Sequence, residues 1–290
     1  MDRWKERRRI VPSHGAALAV FEYGPDPAPG IPTLLLVHGY PDDHRVYVPL
    51  IRELAATCHV IAYDTRNAGS SSVTGGHGSF VLQALVDDLY AVLAATQASP
   101  VHLVGHDWGS IQAWAAVQDP RAAGRISRFT SVSGPDLRHF SCWMRQGVRH
   151  PRGWAQLLGQ LRRSLYVAFF QIPLLPEAFW RFFLTGWYER AAGRTVGKDP
   201  IRGLALYRAN FHIERQPPLP VSIPVHVVVP VKDPFLSPRL IDGLENWVSK
   251  LTVTKVNAGH WWPETHTSDF ATLLQQEHDN DGDIDRVKTG

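Results

Sequence analysis

At 290 residues, with 44% hydrophobic and 20% charged residues, the chain has the composition of one large globular α/β domain with room for an insertion. Thirty Lys and Arg against 27 Asp and Glu leave a net charge of +3, too small to argue for a nucleic-acid partner. Cys58 and Cys142 form no metal or redox spacing, and no apolar run approaches the ~20 residues of a membrane-spanning helix.

The opening stretch Met1–Arg9 is basic but no apolar region follows it, which argues against a secretory signal and for a solvated arm. A cytoplasmic location is the expectation. Ile10-Val11-Pro12 and Ala17 to Tyr23 read as strands joined at Ser13-His14-Gly15, and Pro25 to Gly30 as a surface turn. Thr33 to Val37 is a continuous apolar run suited to a parallel strand buried on both faces. A helix near Arg45 to Ala56 and a strand at Val60 to Tyr63 follow. Val81 to Thr96 repeats Leu82, Leu85, Leu89 and Val92 on one helical face. Further strands are expected at Val101 to Val104, Ile126 to Val132, Val225 to Val229 and Leu251 to Val256. Strands alternating with helices indicate a mostly parallel sheet covered on both faces.

That alternation breaks between residues 137 and 216, where Arg, Trp and Phe dominate amphipathic helical patterns. The expected organisation is a core from residues 1–136 and 217–276, with 137–216 inserted as a helical cap. The polar span 277–290, with Asp279, Asp281, Asp283 and Asp285, is expected to be disordered or a linker.

The strand at Val101 ends in Gly105-His106-Asp107-Trp108-Gly109, and small and apolar residues follow as in a helix packed on a sheet. This is the strand–turn–helix setting of a nucleophile elbow, with Asp107 where many hydrolases carry serine. Such a fold expects nucleophile, acid and histidine in that chain order. Asp233 follows the strand around Val229, and His260 follows the strand ending at Val256. A loop Asp before Pro is commonly a turn residue, and a lone His is commonly structural. Three such residues in order, each just after a strand, point instead to a triad of Asp107, Asp233 and His260. Asp136, also after a strand, is the alternative acid.

His38-Gly39-Tyr40-Pro41, Gly105-His106-Asp107-Trp108-Gly109, Lys232-Asp233-Pro234 and Gly259-His260-Trp261 together resemble the epoxide hydrolases and haloalkane dehalogenases of the α/β-hydrolase fold. The resemblance covers nearly the whole chain except the tail. It implies a mostly parallel eight-stranded sheet flanked by helices, with a helical cap. It also implies that Asp107 attacks a saturated carbon to give an alkyl ester, which water activated by His260 and Asp233 hydrolyses. The backbone N–H groups of Tyr40 and Trp108 would then meet the tetrahedral oxyanion, and a cis bond between Tyr40 and Pro41 would resemble the family.

Epoxide hydrolases of this kind hold two cap tyrosines over the nucleophile. Tyr166-Val167-Ala168-Phe169-Phe170-Gln171 matches one pattern, and Leu206-Tyr207-Arg208-Ala209-Asn210 is similar to the other, with Ala209 interposed. Each tyrosine alone is ordinary cap packing; the pair favours ring opening of a small apolar epoxide by water. Trp108 resembles the halide donor of the dehalogenases, but Tyr40 stands where those enzymes typically carry Asn. Haloalkane dehalogenase is therefore the second reading, and a ligand-binding protein without turnover the third. Asp64-Thr65-Arg66-Asn67-Ala68-Gly69-Ser70 departs from the family in placing Asn67 at a glycine position, where Asn tolerates positive φ. No cofactor is implied: the 14 histidines form no metal cluster, and no Gly-rich nucleotide fingerprint follows a strand. Similar mycobacterial proteins fuse such a domain to a C-terminal dehydrogenase, so a fused or partner domain is a further expectation; oligomeric state stays open.

Overall fold

The apolar runs become neighbours in one sheet. The computed structural model describes residues 6–74, 77–149, 151–210 and 216–288, the side chains of 77, 78, 152 and 279–288 excepted. Its strands are β1 (Arg7–Ser13), β2 (Ala16–Tyr23), β3 (Thr33–Val37), β4 (His59–Tyr63), β5 (Ser72–Val73), β6 (Val101–His106), β7 (Ile126–Val132), β8 (Val221–Pro230) and β9 (Val248–Val256). Their spatial order is β1-β2-β4-β3-β6-β7-β8-β9, with the two-residue β5 added against β2. From β4 to β9 every neighbouring pair is parallel; β2 runs antiparallel to β1, β4 and β5. The eight long strands match the expectation, and the short β5 is an addition.

Helices α1 (Val48–Leu54), α2 (Leu82–Thr96) and α3 (Trp108–Val117) connect the first parallel strands. Leu34 to Val37 are wholly buried because successive residues of β3 feed opposite faces. Leu35 and Val37 pack with Leu89 and Val92 of α2 and Trp114 of α3, while Leu34 and Leu36 pack with Leu50 and Leu54 of α1 and with Phe270. Each such leucine contributes ~1.5–3 kcal/mol by leaving water.

Between β7 and β8 the chain leaves the sheet for α4 (Leu137–Arg149), α5 (Trp154–Arg163), α6 (Leu165–Phe170), α7 (Leu175–Phe179), α8 (Thr185–Ala192) and α9 (Asp199–Ala209), with a π-helical turn at Trp180–Leu184. Phe170, Trp180, Leu204 and Tyr207 from this insertion share an apolar cluster with Phe80, Leu85 and Trp108 of the sheet-based part. The insertion is thus packed onto the sheet's edge by a core of its own. After β9 come α10 (Trp262–Thr265) and α11 (Thr267–Lys288).

Two expectations at the ends need correction. The tail from Glu277 is not structureless up to Lys288: it continues α11. Glu277 lies on the sheet, accepting from Thr130 Oγ1 at 2.9 Å and meeting the His226 ring, and His278 contacts His102 at 3.1 Å. Those partners come from β6, β7 and β8, so a polar segment gains contacts that its own composition conceals. Residues 289–290 lie outside the described residues. At the other end Arg7, Arg8 and Arg9 belong to β1, paired with Glu22, Phe21 and Val20 of β2 rather than forming a solvated arm; residues 1–5 lie outside the described residues. Among the described residues no helix is long and apolar enough to cross a membrane.

The strand order reverses at β3. From there the chain adds β4 on one side and β6 on the other, leaving a crevice beyond the carboxyl ends of β3 and β6. His38-Gly39-Tyr40 leaves one of those ends and Asp107 the other.

Candidate active site

Asp107 sits between β6 and α3 with φ 53° and ψ −123°, a conformation that L residues rarely adopt. Such strain costs about 1–3 kcal/mol and persists only where its surroundings impose it. Here the Asp107 N–H donates to Val132 O at 3.0 Å, and Asp107 O accepts from Ile111 N at 3.0 Å. The turn is tight enough that a Cβ on Gly109 would lie 1.9 Å from Val37 O. Facing it, a Cβ on Gly39 would lie 2.4 Å from Asp107 Cβ. Both positions therefore require glycine for close approach rather than for backbone freedom.

The side chains meet as the chain order suggests. Asp107 Oδ1 accepts from Tyr40 N–H at 2.8 Å, and Oδ2 lies 3.5 Å from His260 Nε2. The other ring nitrogen, His260 Nδ1, is 2.8 Å from Asp233 Oδ2. Asp233 Oδ1 accepts the N–H groups of Phe235 and Leu236, which fixes the carboxylate in its loop. Burial opposes charge on His260, but hydrogen bonds to Asp107 and Asp233 outweigh it and raise the imidazole to about 9. Burial likewise opposes the Asp233 carboxylate, and its bond to His260 reverses that effect and lowers its pKa.

Asp136 takes a different place. It accepts from Gln118 Nε2 at 2.9 Å and from Arg138 N–H, and burial raises its pKa. It shares with Asp233 the lining of a small cavity of about 60 Å³, but the acid against His260 is Asp233.

Tyr40 leaves β3 through a cis peptide bond to Pro41, and its hydroxyl donates to Pro200 O in α9. Trp108 opens α3, so its N–H belongs to the helix's first turn, where no intrahelical acceptor exists. Its indole is buried and packs edge-on against Tyr207, centroids 5.1 Å apart. Tyr166 of α6 and Tyr207 of α9 meet edge-to-face at 5.8 Å. Burial pushes both phenols up, and the Asp107 carboxylate adds to it in each. Both tyrosines thus hold their protons at neutral pH within the field of the Asp107 carboxylate. Asn67, at the family's glycine position, has φ 61°, so the loop keeps its left-handed turn.

Sequence reasoning missed two contributors. His106 is buried, and its Nε2 lies 2.9 Å from His260 O. Burial, followed by the neighbouring His260, lowers it to about 4. It is therefore neutral and donates to that carbonyl, orienting the His260 loop. Phe235 packs edge-on against both His260 (4.9 Å) and Tyr166 (5.2 Å), bridging the core and the insertion. His106 lay within the elbow motif and was visible there; nothing in the sequence singled out Phe235.

For metal binding, among the described residues only Asp43, His44 and Asp64 offer a cluster of three such groups. Their oxygens are already used: Asp64 accepts from His44 N, Ser70 N and the His44 ring, and Asp43 from Arg45. The trio braces the loops beside Tyr40.

The fold is shared with known proteins. A probable oxidoreductase of Mycobacterium tuberculosis, EphD, is 30% identical over 94% of this chain and 50% of its own length. Epoxide hydrolase A of the same organism is 28% identical over 83% of this chain and 66% of its own. The chain thus spans half the length of EphD and its counterparts among the curated relatives. Among solved structures, an epoxide hydrolase from a hot-environment metagenome superimposes with TM-score 0.77 at 22% identity, covering 94% of this chain and 98% of that one. The Bacillus megaterium epoxide hydrolase gives 0.75 at 20%, covering 92% and 99%. A family model described as the alpha/beta hydrolase fold matches residues 32–267, from β3 to the start of α11. With the strand order, the elbow and that match in agreement, the chain belongs to the alpha/beta hydrolase fold family.

Proposed function

We propose that this protein is an epoxide hydrolase that converts a small apolar epoxide and water to a vicinal diol through an ester on Asp107. The observation that carries the proposal is the meeting of Tyr166 and Tyr207 beside a carboxylate already aligned with His260 and Asp233. Names of relatives and solved neighbours point the same way.

The chemistry follows from the placement. Tyr40 N–H occupies Oδ1, so Oδ2 is the attacking oxygen; it bonds to an epoxide carbon as the ring C–O bond breaks. The released alkoxide takes a proton from Tyr166 or Tyr207, whose phenols are protonated and desolvated. An ionised carboxylate needs no base for this step. Esterification removes the Asp107 charge, and His260 loses one of the two partners that favour its protonated form. Its pKa falls, and the neutral imidazole takes a proton from water that attacks the ester carbon. General-base assistance of this kind contributes about 10²–10⁴ in rate. The oxyanion forms on Oδ1, toward the N–H groups of Tyr40 and Trp108. Collapse breaks the ester C–Oδ2 bond, the leaving oxygen takes the proton from His260 to complete the diol, the phenolate regains its proton from solvent, and one oxygen from water is left in Asp107.

The test is repeated turnover of styrene oxide in ¹⁸O water, followed by mass spectrometry of the Asp107 peptide. Diol formation with label entering Asp107 is the expected result. Tyr166→Phe and Tyr207→Phe should each slow ring opening by about tenfold or more, and the double variant should nearly abolish it. Bromide release from a bromoalkane, without diol, would make Trp108 a halide donor and replace the proposal with dehalogenation. Neither product from folded protein would replace it with ligand binding.

A further inference from the structure

The insertion between β7 and β8 exposes apolar side chains in stripes. Phe182, Phe183 and Trp187 are 70%, 68% and 58% exposed; Phe179, Phe183 and Trp187 recur every four residues from α7 through the π-helical turn into α8, with Phe182 next to Phe183. Leu158, Leu161 and Leu165 make a second exposed group on α5 and the start of α6, and the exposed Leu174 and Leu175 lie between the two in the chain. Single exposed apolar residues are ordinary; contiguous stripes mark a surface that something covers.

Charge is segregated onto the same segment. Residues 137–210 hold 12 Lys and Arg against three Asp and Glu, whereas the remainder of the chain holds 18 against 24. All three acids already have partners within the chain: Glu177 pairs with Arg208, Glu189 accepts the N–H groups of Val196 and Gly197, and Asp199 accepts from Gly69 N–H. Arg149, Arg162, Arg181 and Arg190 of this segment are exposed, and the Arg181 guanidinium lies over the Phe182 ring.

From this we infer that the cap face docks onto an anionic lipid bilayer, lying on it without spanning it. Exposed aromatic and leucine side chains would enter the headgroup boundary while the flanking arginines meet lipid phosphates. The charge decides against a second copy of the chain as the occupant, because a two-fold contact would bring two strongly cationic faces together. An aromatic path joins this face to the candidate nucleophile: Phe183 meets Phe179 at 5.7 Å, Phe179 meets Phe169 at 5.9 Å, and Phe169 meets Phe170, which packs on Tyr166 and Tyr207. Docking there would deliver a lipophilic substrate directly from the bilayer. That last step rests on the proposed epoxide hydrolysis; the docking does not.

The experiment is co-sedimentation of the full chain with vesicles of phosphatidylcholine alone and of phosphatidylcholine mixed with phosphatidylglycerol. Binding to the mixed vesicles, weakening as salt rises, is expected. Arg181→Glu with Arg190→Glu should lower that affinity by about tenfold or more, and Phe182→Ser with Trp187→Ser should lower it similarly. Both pairs are surface changes and should keep the wild-type melting temperature and turnover of a water-soluble epoxide. No binding to mixed vesicles, or equal binding to the neutral ones, overturns the inference. So does light scattering that shows a dimer dispersed by the serine pair. Vesicle binding by a protein without epoxide turnover would keep the docking and remove the substrate-delivery step.

Discussion

His260 is held by two carboxylates, and only one of them keeps its charge through the proposed cycle. Before any ester forms, Asp107 and Asp233 together raise the imidazole to about 9, so the ring is protonated at neutral pH. That pKa lies above the ordinary 6.5, so the pairing contributes stability that is complete below about pH 6.5 and is lost as pH rises through about 9. Catalytically the sign runs the other way once Asp107 is esterified. The hydrolytic step needs neutral His260 and should slow as pH falls, while attack by Asp107 needs only its carboxylate. The ester should therefore accumulate in acid, and His260→Gln should trap it at all pH values. Intact-protein mass spectrometry after rapid quenching should show the mass of one added substrate in the variant. An unmodified variant that still makes diol would remove His260 from the hydrolytic step.

At the scale of elements, the two tyrosines depend on how α6 and α9 are tied together. Arg208, next to Tyr207, donates to Phe170 O at 3.0 Å and to Ile172 O at 3.1 Å, and pairs with Glu177 of α7. Asn210 ends α9 by accepting from Leu82 N–H and donating to Phe80 O, which anchors the insertion to the N-terminus of α2. The Arg-x-Asn that follows Tyr207 is thus a pair of clamps. Arg208→Ala should let Tyr207 drift from Tyr166, lowering kcat for ring opening by about tenfold with little change in the Asp107–His260 pairing. The check is single-turnover kinetics: ester formation should slow while ester hydrolysis keeps its wild-type rate. A loss confined to hydrolysis would show that Arg208 acts elsewhere.

Across the whole molecule, one buried ion pair joins the sheet's loops to its helical layer. Arg66 bonds Asp88 of α2 through Nε at 2.5 Å and Nη2 at 2.9 Å, and also donates to Ser79 O and His14 O. Both side chains are almost wholly buried, and burial raises the Asp88 pKa despite its partner. Asp88→Asn leaves the guanidinium uncompensated and should cost about 3–5 kcal/mol in denaturant unfolding. Replacing both partners together, Arg66→Met with Asp88→Leu, should recover much of that loss. Equal destabilisation by the single and double changes would mean that the backbone contacts of Arg66, rather than the charge pair, hold the loops.

The sequence by itself determined the strands, their parallel character and the order of Asp107, Asp233 and His260, because each is written in local pattern: apolar runs, a Gly-x-Asp-x-Gly turn, a polar residue just past a strand. It also supported Asn67 at a positive φ, because that preference belongs to the residue. What it left open concerned partners far apart in the chain. Asp136 and Asp233 both follow strands, and only tertiary packing put Asp233 against His260. Phe235 joins His260 to Tyr166 across the core–insertion boundary, and no periodicity signals a residue with neighbours on both sides of it. The span 277–290 read as disordered or a linker because it is polar. Up to Lys288 it is helical, with Glu277 meeting Thr130 and His226 on the sheet, and a local composition rule cannot weigh contacts made roughly 50 to 150 residues away.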